Sequence, residues 1–402
     1  MTLFGKKRIY LDWAAAAPVS PAAARAFGRA LCAYGNPSSP HAEGVAAQKE
    51  LEEARVVIAK LMEVKRDGVV FTSGATEANN LALSGHVARL RADGVAAQDM
   101  HILYLPSAHA SVVETLTSLA RSGVSTEALT LSNGTLDLAD LEQKLRPTTR
   151  LVVLDAVCGE TGMRYPTRAV RNLLDSARQR AEAASARILL HVDASQLPLA
   201  APFDLTRLAA DSVTLDAQKV GGIRGVGALC MRSHVRLAPV LAGGGQEHGL
   251  RPGTEPVALA AAFAAALAEA SKGSSAFTAR AQRMRERLLA RLQEGSLIPG
   301  LLVNEGKEQV PHILNLSLLG RDTDYLVMLL DRAGFSVATK SACESESASG
   351  SRAVLALIGD QARAKATLRI SWGPTTHERD LDCLADALST AVAFLDANSL
   401  AA

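Results

Sequence analysis

The chain has 402 residues, more than one comfortable hydrophobic core, so one large and one smaller domain are expected. A formal net charge of +2 without long basic runs gives no reason to expect a nucleic-acid partner. Hydrophobic residues make up 48% but aromatics only 4%, and much of the apolar share is alanine, which favours helices.

Taken in chain order, residues 1–8 carry charges with no apolar stretch behind them, so no signal peptide is expected. Helical patterns at 42–62, 77–90, 111–121 and 168–184 alternate with extended runs at 68–72, 102–106, 151–154, 188–192, 212–215 and 228–231. That alternation predicts a mainly parallel sheet flanked by helices. The glycine cluster at 243–256 reads as a junction. Beyond it the pattern gives two alanine-rich helices, a strand at 313–318, a helix opening near Asp322, extended runs at 336–339 and 367–372, and a final helix from Thr376. The longest nearly apolar run, 257–268, is too short and too alanine-rich for a bilayer, so no membrane contact is expected. Five cysteines (32, 158, 230, 343 and 383) show no C-x-x-C spacing. An odd, unspaced set indicates neither a disulfide framework nor a metal site, and a reducing cytoplasmic location is the default.

Chemistry concentrates in a few segments. Asp193 closes one β-branched run and Lys219 follows the next. An amine and a carboxylate at the ends of neighbouring strands suit pyridoxal phosphate: the amine forms a Schiff base, and the carboxylate keeps the pyridine nitrogen protonated. Thr72-Ser-Gly-Ala-Thr-Glu runs from a strand through Gly74 into a helix, whose free first N–H groups favour an anion, with the Thr76 hydroxyl as a further donor. An ordinary helix cap is the plainer account of that turn. His109 follows a strand and could stack on a ring or move protons; alone it is also an ordinary loop residue. Cys343 opens the serine-rich stretch 341–351, a composition expected to be mobile and exposed, which makes its thiol a candidate nucleophile. Cys230 reads as packing. Arg369 lies inside an apolar strand and needs a partner, either a substrate carboxylate or a structural salt bridge. Residues 334–341 have the length of a phosphate-binding loop, but Thr339 stands where its second glycine belongs, which dismisses nucleotide binding.

In this order Tyr10-Leu-Asp-Trp-Ala-Ala, Gly35-Asn-Pro-Ser, Thr72-Ser-Gly-Ala-Thr-Glu, His191-Val-Asp-Ala-Ser-Gln, Lys219, Arg251-x-Gly-Thr254, Ser341-Ala-Cys343 and Leu368-Arg-Ile-Ser resemble the NifS/IscS-like cysteine desulfurases of the class V aminotransferases. The resemblance covers nearly the whole chain. It implies the fold type I architecture of pyridoxal-phosphate enzymes. A large α/β domain over 14–255 would hold a mainly parallel seven-stranded sheet. A smaller α+β domain, from 1–13 and 256–402, would carry the catalytic cysteine loop at about 341–351. By the same resemblance the cofactor is pyridoxal 5'-phosphate and the substrate L-cysteine. Lys219 would hold the cofactor and move the substrate's α-proton. Asp193 would pair with the pyridine nitrogen, Gln196 would bond the ring oxygen, His109 would stack on the ring and Gln218 would assist. Gly74, Ala75 and Thr76 would cradle the phosphate, with Thr254 reaching it from the other subunit of a homodimer. Arg369 and Asn36 would clamp the substrate carboxylate. The Cys343 thiolate would take the sulfur as a persulfide and pass it to an acceptor or scaffold protein serving iron–sulfur cluster or tRNA thiolation pathways.

Three departures from the family pattern stand out. Gln218 replaces its usual histidine, a mild change. Asp216 replaces a phosphate-binding serine. A carboxylate about 4 Å from one phosphate charge costs on the order of 4 kcal/mol at an effective dielectric of 20, so Asp216 is expected to turn away or to pair with an arginine such as Arg224. Gly159 replaces an asparagine, removing one hydrogen bond worth about 1 kcal/mol, and neighbouring Cys158 is expected to be buried packing. Two rival readings follow: another class V lyase or transaminase, such as a selenocysteine lyase, and a non-catalytic relative that has lost its cofactor.

Overall fold

The structure is a computed structural model that describes residues 2–3, 6–180, 187–293, 298–339 and 350–399. Its centre is a seven-stranded sheet built from β1 (Val69–Thr72), β2 (His101–Tyr104), β3 (Ser125–Ala128), β4 (Thr149–Asp155), β5 (Leu189–Asp193), β6 (Ser212–Asp216) and β7 (Gly227–Met231). The order is β1-β7-β6-β5-β4-β2-β3, and only β7 runs against its neighbours. The central strands are buried on both faces, as continuous apolar runs in a parallel sheet require.

Sequence spacing placed six of these strands to within a residue or two. It missed β3, whose Ser-Thr-Glu-Ala lies half-buried at the sheet edge and shows no apolar alternation. Helices α1 (Pro21–Ala30), α2 (Ala42–Met62), α3 (Ala75–Ala92), α4 (Ala110–Arg121) and α5 (Thr167–Arg180) accompany the sheet. Residues 181–184, expected to extend α5, lie outside the described residues. The two alanine-rich helices expected after the glycine cluster are one, α6 (Val257–Gln293), of 37 residues. The stretch Lys272-Gly-Ser-Ser reads as a break. Yet Ala270, Ser274, Phe277 and Ala281 continue one buried stripe at helical spacing straight through it.

A second, three-stranded antiparallel sheet pairs β9 (Ile313–Leu318) with β8 (Leu301–Val303) and β10 (Thr367–Ser371), beside α7 (Thr323–Ala333) and α8 (Glu378–Ser399). The N-terminal segment joins it, since Ile9–Tyr10 pairs with Phe335–Ser336 and Asp12 bridges to Ser371. Among the described residues no helix is long and apolar enough to cross a membrane.

One buried ion pair locks the first strand. Arg55 of α2 donates through both terminal nitrogens to Glu247 at 2.7 Å, and Glu247 also accepts the Phe71 N–H at 2.8 Å. Both side chains are buried, so removing one charge strands the other in a poor solvent. Glu247→Gln is expected to destabilise the fold by about 3 kcal/mol, seen as a lower denaturation midpoint in urea. A change within experimental error would show that the pair contributes nothing.

Candidate active site

A cavity of about 330 Å3 opens where β1, β2, β4, β5 and β6 all end at the same edge of the sheet. This is the crevice that a parallel sheet builds beyond the carboxyl ends of its strands. β1 feeds Ser73 and Gly74 into α3. Gly74 has φ of 154°, a conformation that side-chain-bearing residues rarely adopt, and so aims the first N–H groups of α3 into the crevice. Ala75 and Thr76 line it.

Asp193 ends β5 already oriented. Its Oδ2 accepts from Asn79 Nδ2 at 2.8 Å and its Oδ1 from the Ser195 N–H at 2.9 Å. The amide of Asn79 is held in turn by His191 at 3.1 Å, and burial keeps that imidazole neutral by pushing its pKa down to about 4. Lys219 lies on the turn after β6, its Nζ donating to the carbonyls of Ala14 at 2.7 Å and Ala15 at 2.8 Å. Burial lowers the pKa of its amine, Asp216 opposes that, and Arg369 adds to it. His109 caps α4, with the Ser111 N–H donating to its Nδ1 at 3.1 Å, so a neutral ring carries its proton on Nε2.

Gln196 and Gln218 both line the cavity. Gln196 donates to the Ala14 carbonyl at 2.9 Å. Gly159 makes room for it, because a Cβ at that position would lie 3.0 Å from Gln196 Nε2. Arg369 donates to the Gly159 carbonyl at 3.0 Å and to Asp12 Oδ1 at 2.8 Å, while its buried Nε has no partner among the described residues. The salt bridge and the anion clamp are therefore compatible: the guanidinium is fixed by Asp12 and still lines the cavity.

One expectation is corrected. Asp216 neither turns away from the anion end of α3 nor pairs with Arg224. Its Oδ2 accepts the Ala75 N–H at 3.2 Å and its Oδ1 the Gln218 N–H at 3.1 Å. The helix end attracts negative charge, and the carboxylate answers it. Asn36 is exposed, outside the lining of this chain's cavity, and its Oδ1 accepts the Ser38 N–H at 2.9 Å in a local turn. Thr254 is also exposed and lies outside this chain's cavity. Cys343 lies outside the described residues. The segment before it is nonetheless anchored at the site, since Ala338 and Arg369 exchange backbone hydrogen bonds of 3.1 and 2.6 Å. Beyond it, Ser351 donates to Glu160 at 2.6 Å.

Asp155, which sequence reasoning passed over, ends β4 beside Asp193 in the sheet register and lines the cavity. Burial, then the charge of Asp193, holds its carboxyl well above the usual range, and its Oδ1 has no partner among the described residues. The signal was available: it closes an apolar run as Asp193 does.

The cavity thus offers an anion-seeking helix end, an amine, an oriented carboxylate, an imidazole at its mouth and a fixed guanidinium. These fit a phosphate-bearing pyridine and an amino-acid carboxylate, with Asp216 standing as a like charge at the phosphate end.

The aminotransferase class-V family matches residues 9–384. Cysteine desulfurase IscS 1 of Archaeoglobus fulgidus is 31% identical over 381 residues, 94% of this chain and 95% of the relative. Among solved structures, a NifS-like protein superposes with a TM-score of 0.85 at 27% identity, covering 96% of this chain and 100% of that one. SspA in complex with cysteine gives a TM-score of 0.75 at 26% identity over 92% of this chain and 99% of that one.

Cys158 is buried, and its thiol is pushed up to about 12 by burial and by Glu160, while Cys32 is exposed. Native iodoacetamide labelling at about pH 8 followed by peptide mass spectrometry is expected to modify Cys32 and leave Cys158 unmodified. Rapid labelling of Cys158 would contradict its burial.

Proposed function

The chain belongs to the aminotransferase class-V family and is a cysteine desulfurase, and we propose that it works with pyridoxal 5'-phosphate held between Lys219 and Asp193. The observation that carries this reading is the convergence of Lys219, Asp193 and the α3 N-terminus on one cavity. That convergence supports a working cofactor site over a non-catalytic relative. Bound there, the cofactor supplies an electron sink for the electrons of a bond broken at the substrate's α or β carbon.

The chain's own residues would do the rest. Asp193, held by Asn79 and Ser195, presents a fixed negative charge to the ring nitrogen. Gly74, Ala75 and Thr76 receive the phosphate, with Thr254 of a second copy completing the cradle in a homodimer. Gln196 and Gln218 contribute amide hydrogen bonds, and His109 covers the ring. Arg369 binds the carboxylate of L-cysteine by its planar fork. Lys219 carries the α-proton; its depressed pKa favours the neutral amine needed to accept one. The Cys343 thiolate attacks the substrate sulfur, forming an S–S bond as the carbon–sulfur bond breaks. Its electron pair stays with carbon, which gains a proton, so L-cysteine and a thiol become L-alanine and a persulfide. An acceptor or scaffold protein in iron–sulfur or tRNA thiolation pathways of the cytoplasm would then take the sulfur. In this scheme 14–255 form the cofactor-binding domain, and 1–13 with 256–402 the domain that presents Cys343.

Incubation with L-cysteine is expected to yield alanine and to add one sulfur to Cys343 in a peptide mass spectrum. Cys343→Ala is expected to abolish both, and Lys219→Ala to lower turnover by about 10³-fold or more. Full cysteine turnover in Cys343→Ala would overturn the persulfide route. Full turnover in Lys219→Ala would overturn the placement of the cofactor.

A further inference from the structure

The phosphate end of the cavity already has an anion in it. Asp216 Oδ2 takes the Ala75 N–H at 3.2 Å and lies within 3.4 Å of the Gln218 amide nitrogen, while Oδ1 takes the Gln218 N–H at 3.1 Å. A Cβ placed on Gly74 would find Asp216 Oδ2 as its only neighbour within 4 Å, at 3.7 Å, so the carboxylate sits beside the turn that leads into α3. Phosphate oxygens and a carboxylate seek the same N–H groups, and both carry negative charge. A protonated carboxyl differs: it keeps an acceptor and gains an O–H that donates to a phosphate oxygen, as a hydroxyl does.

Resting on the cofactor reading above, we propose that Asp216 is an internal stand-in for the phosphate, capping α3 when the cofactor is absent and taking up a proton when the phosphate enters. Cofactor binding is thereby coupled to proton uptake, and Asp216 sets how strongly the site distinguishes phosphorylated from unphosphorylated pyridoxal.

The surroundings are consistent with this role. From the turn beyond β6, Lys219 favours the ionised form, and from β5, Asp193 opposes it. The strands β1 and β7 on its other side carry no charged residue. In the first turn of α3, Glu77 is engaged by the Ser73 N–H and by Arg251. Burial, only partly offset by the Ala75 N–H, already holds the Asp216 carboxyl above the ordinary aspartate range. A phosphate dianion alongside pushes in the same direction. The sign follows. Between the pKa of Asp216 in the empty site and its higher pKa beside the phosphate, binding takes up one proton and affinity falls as pH rises; outside that window the dependence vanishes.

The test uses the full chain freed of cofactor, titrated with pyridoxal 5'-phosphate and with pyridoxal between about pH 5.5 and about pH 8.5, for wild type, Asp216→Asn and Asp216→Ser. The readout is the ratio of the two dissociation constants, in which effects on Lys219 cancel; the ionisation of the phosphate itself is common to all three proteins. Relative to both variants, the wild-type preference for the phosphorylated ligand is expected to fall about tenfold per pH unit between those two pKa values of Asp216. Calorimetry in buffers of different ionisation enthalpy is expected to show about one more proton taken up by wild type than by Asp216→Asn. Superimposable pH profiles, or equal proton uptake, would overturn the inference and leave the cofactor reading standing. Failure of all three proteins to bind either ligand at any pH would remove the cofactor reading and the inference with it. The asparagine variant, equal in size and unable to ionise, keeps the test decisive if the serine variant folds poorly.

Discussion

Three adjacent parallel strands each end in an aspartate, and the mutual repulsion of those carboxyls in one crevice is the constraint around which the site is arranged. Neighbouring strands lie about 4.8 Å apart, where two unit charges repel by about 3 kcal/mol at an effective dielectric of 20. The chain resolves this by giving the three carboxyls different environments. Asp193 receives two donors, from Asn79 and the Ser195 N–H. Asp216 is fed by helix and turn N–H groups. Asp155 has no partner on Oδ1 among the described residues, and burial with the charge of Asp193 raises its pKa. Different surroundings are how one small volume can hold several carboxyls in different roles.

The larger architecture was legible because it rests on burial. Apolar runs bounded by small residues could hardly be anything but inner strands, and Asp193 and Lys219 follow two of them in the chain. Once those strands are neighbours, their ends must share an edge. The edge strand at Ser125–Ala128 escaped because its half-buried positions leave little compositional trace. The long helix Val257–Gln293 was expected as two, although it runs unbroken through a lone glycine and two serines. A buried stripe along one face overrides a weak local preference.

Side-chain direction was the less legible part. Asp216 was expected to shun the helix end on the premise that a phosphate is already there. In the chain as it stands, the helix end itself is the stronger influence, and the carboxylate goes to it. Asn36 shows the same local pull: its short amide takes a backbone donor two residues away. Gly159 illustrates the opposite case. Read as a missing amide, it turns out to supply space for Gln196 and a carbonyl for Arg369, two things that sequence alone does not separate.

The strand that carries Arg369 also fixes where the chain departs toward the proposed catalytic cysteine. Ala338 is stitched to the Arg369 backbone, and the next residue, Thr339, offers its carbonyl to Thr367 on the same strand. Cys343 follows Thr339 by four residues, so whatever path those residues take, covalent geometry keeps its Cα within about 14 Å of that post. The tether is short on the scale of a protein. On the proposed persulfide route, a recipient would have to approach the rim of the crevice, and the shape of that rim would filter who can collect the cargo.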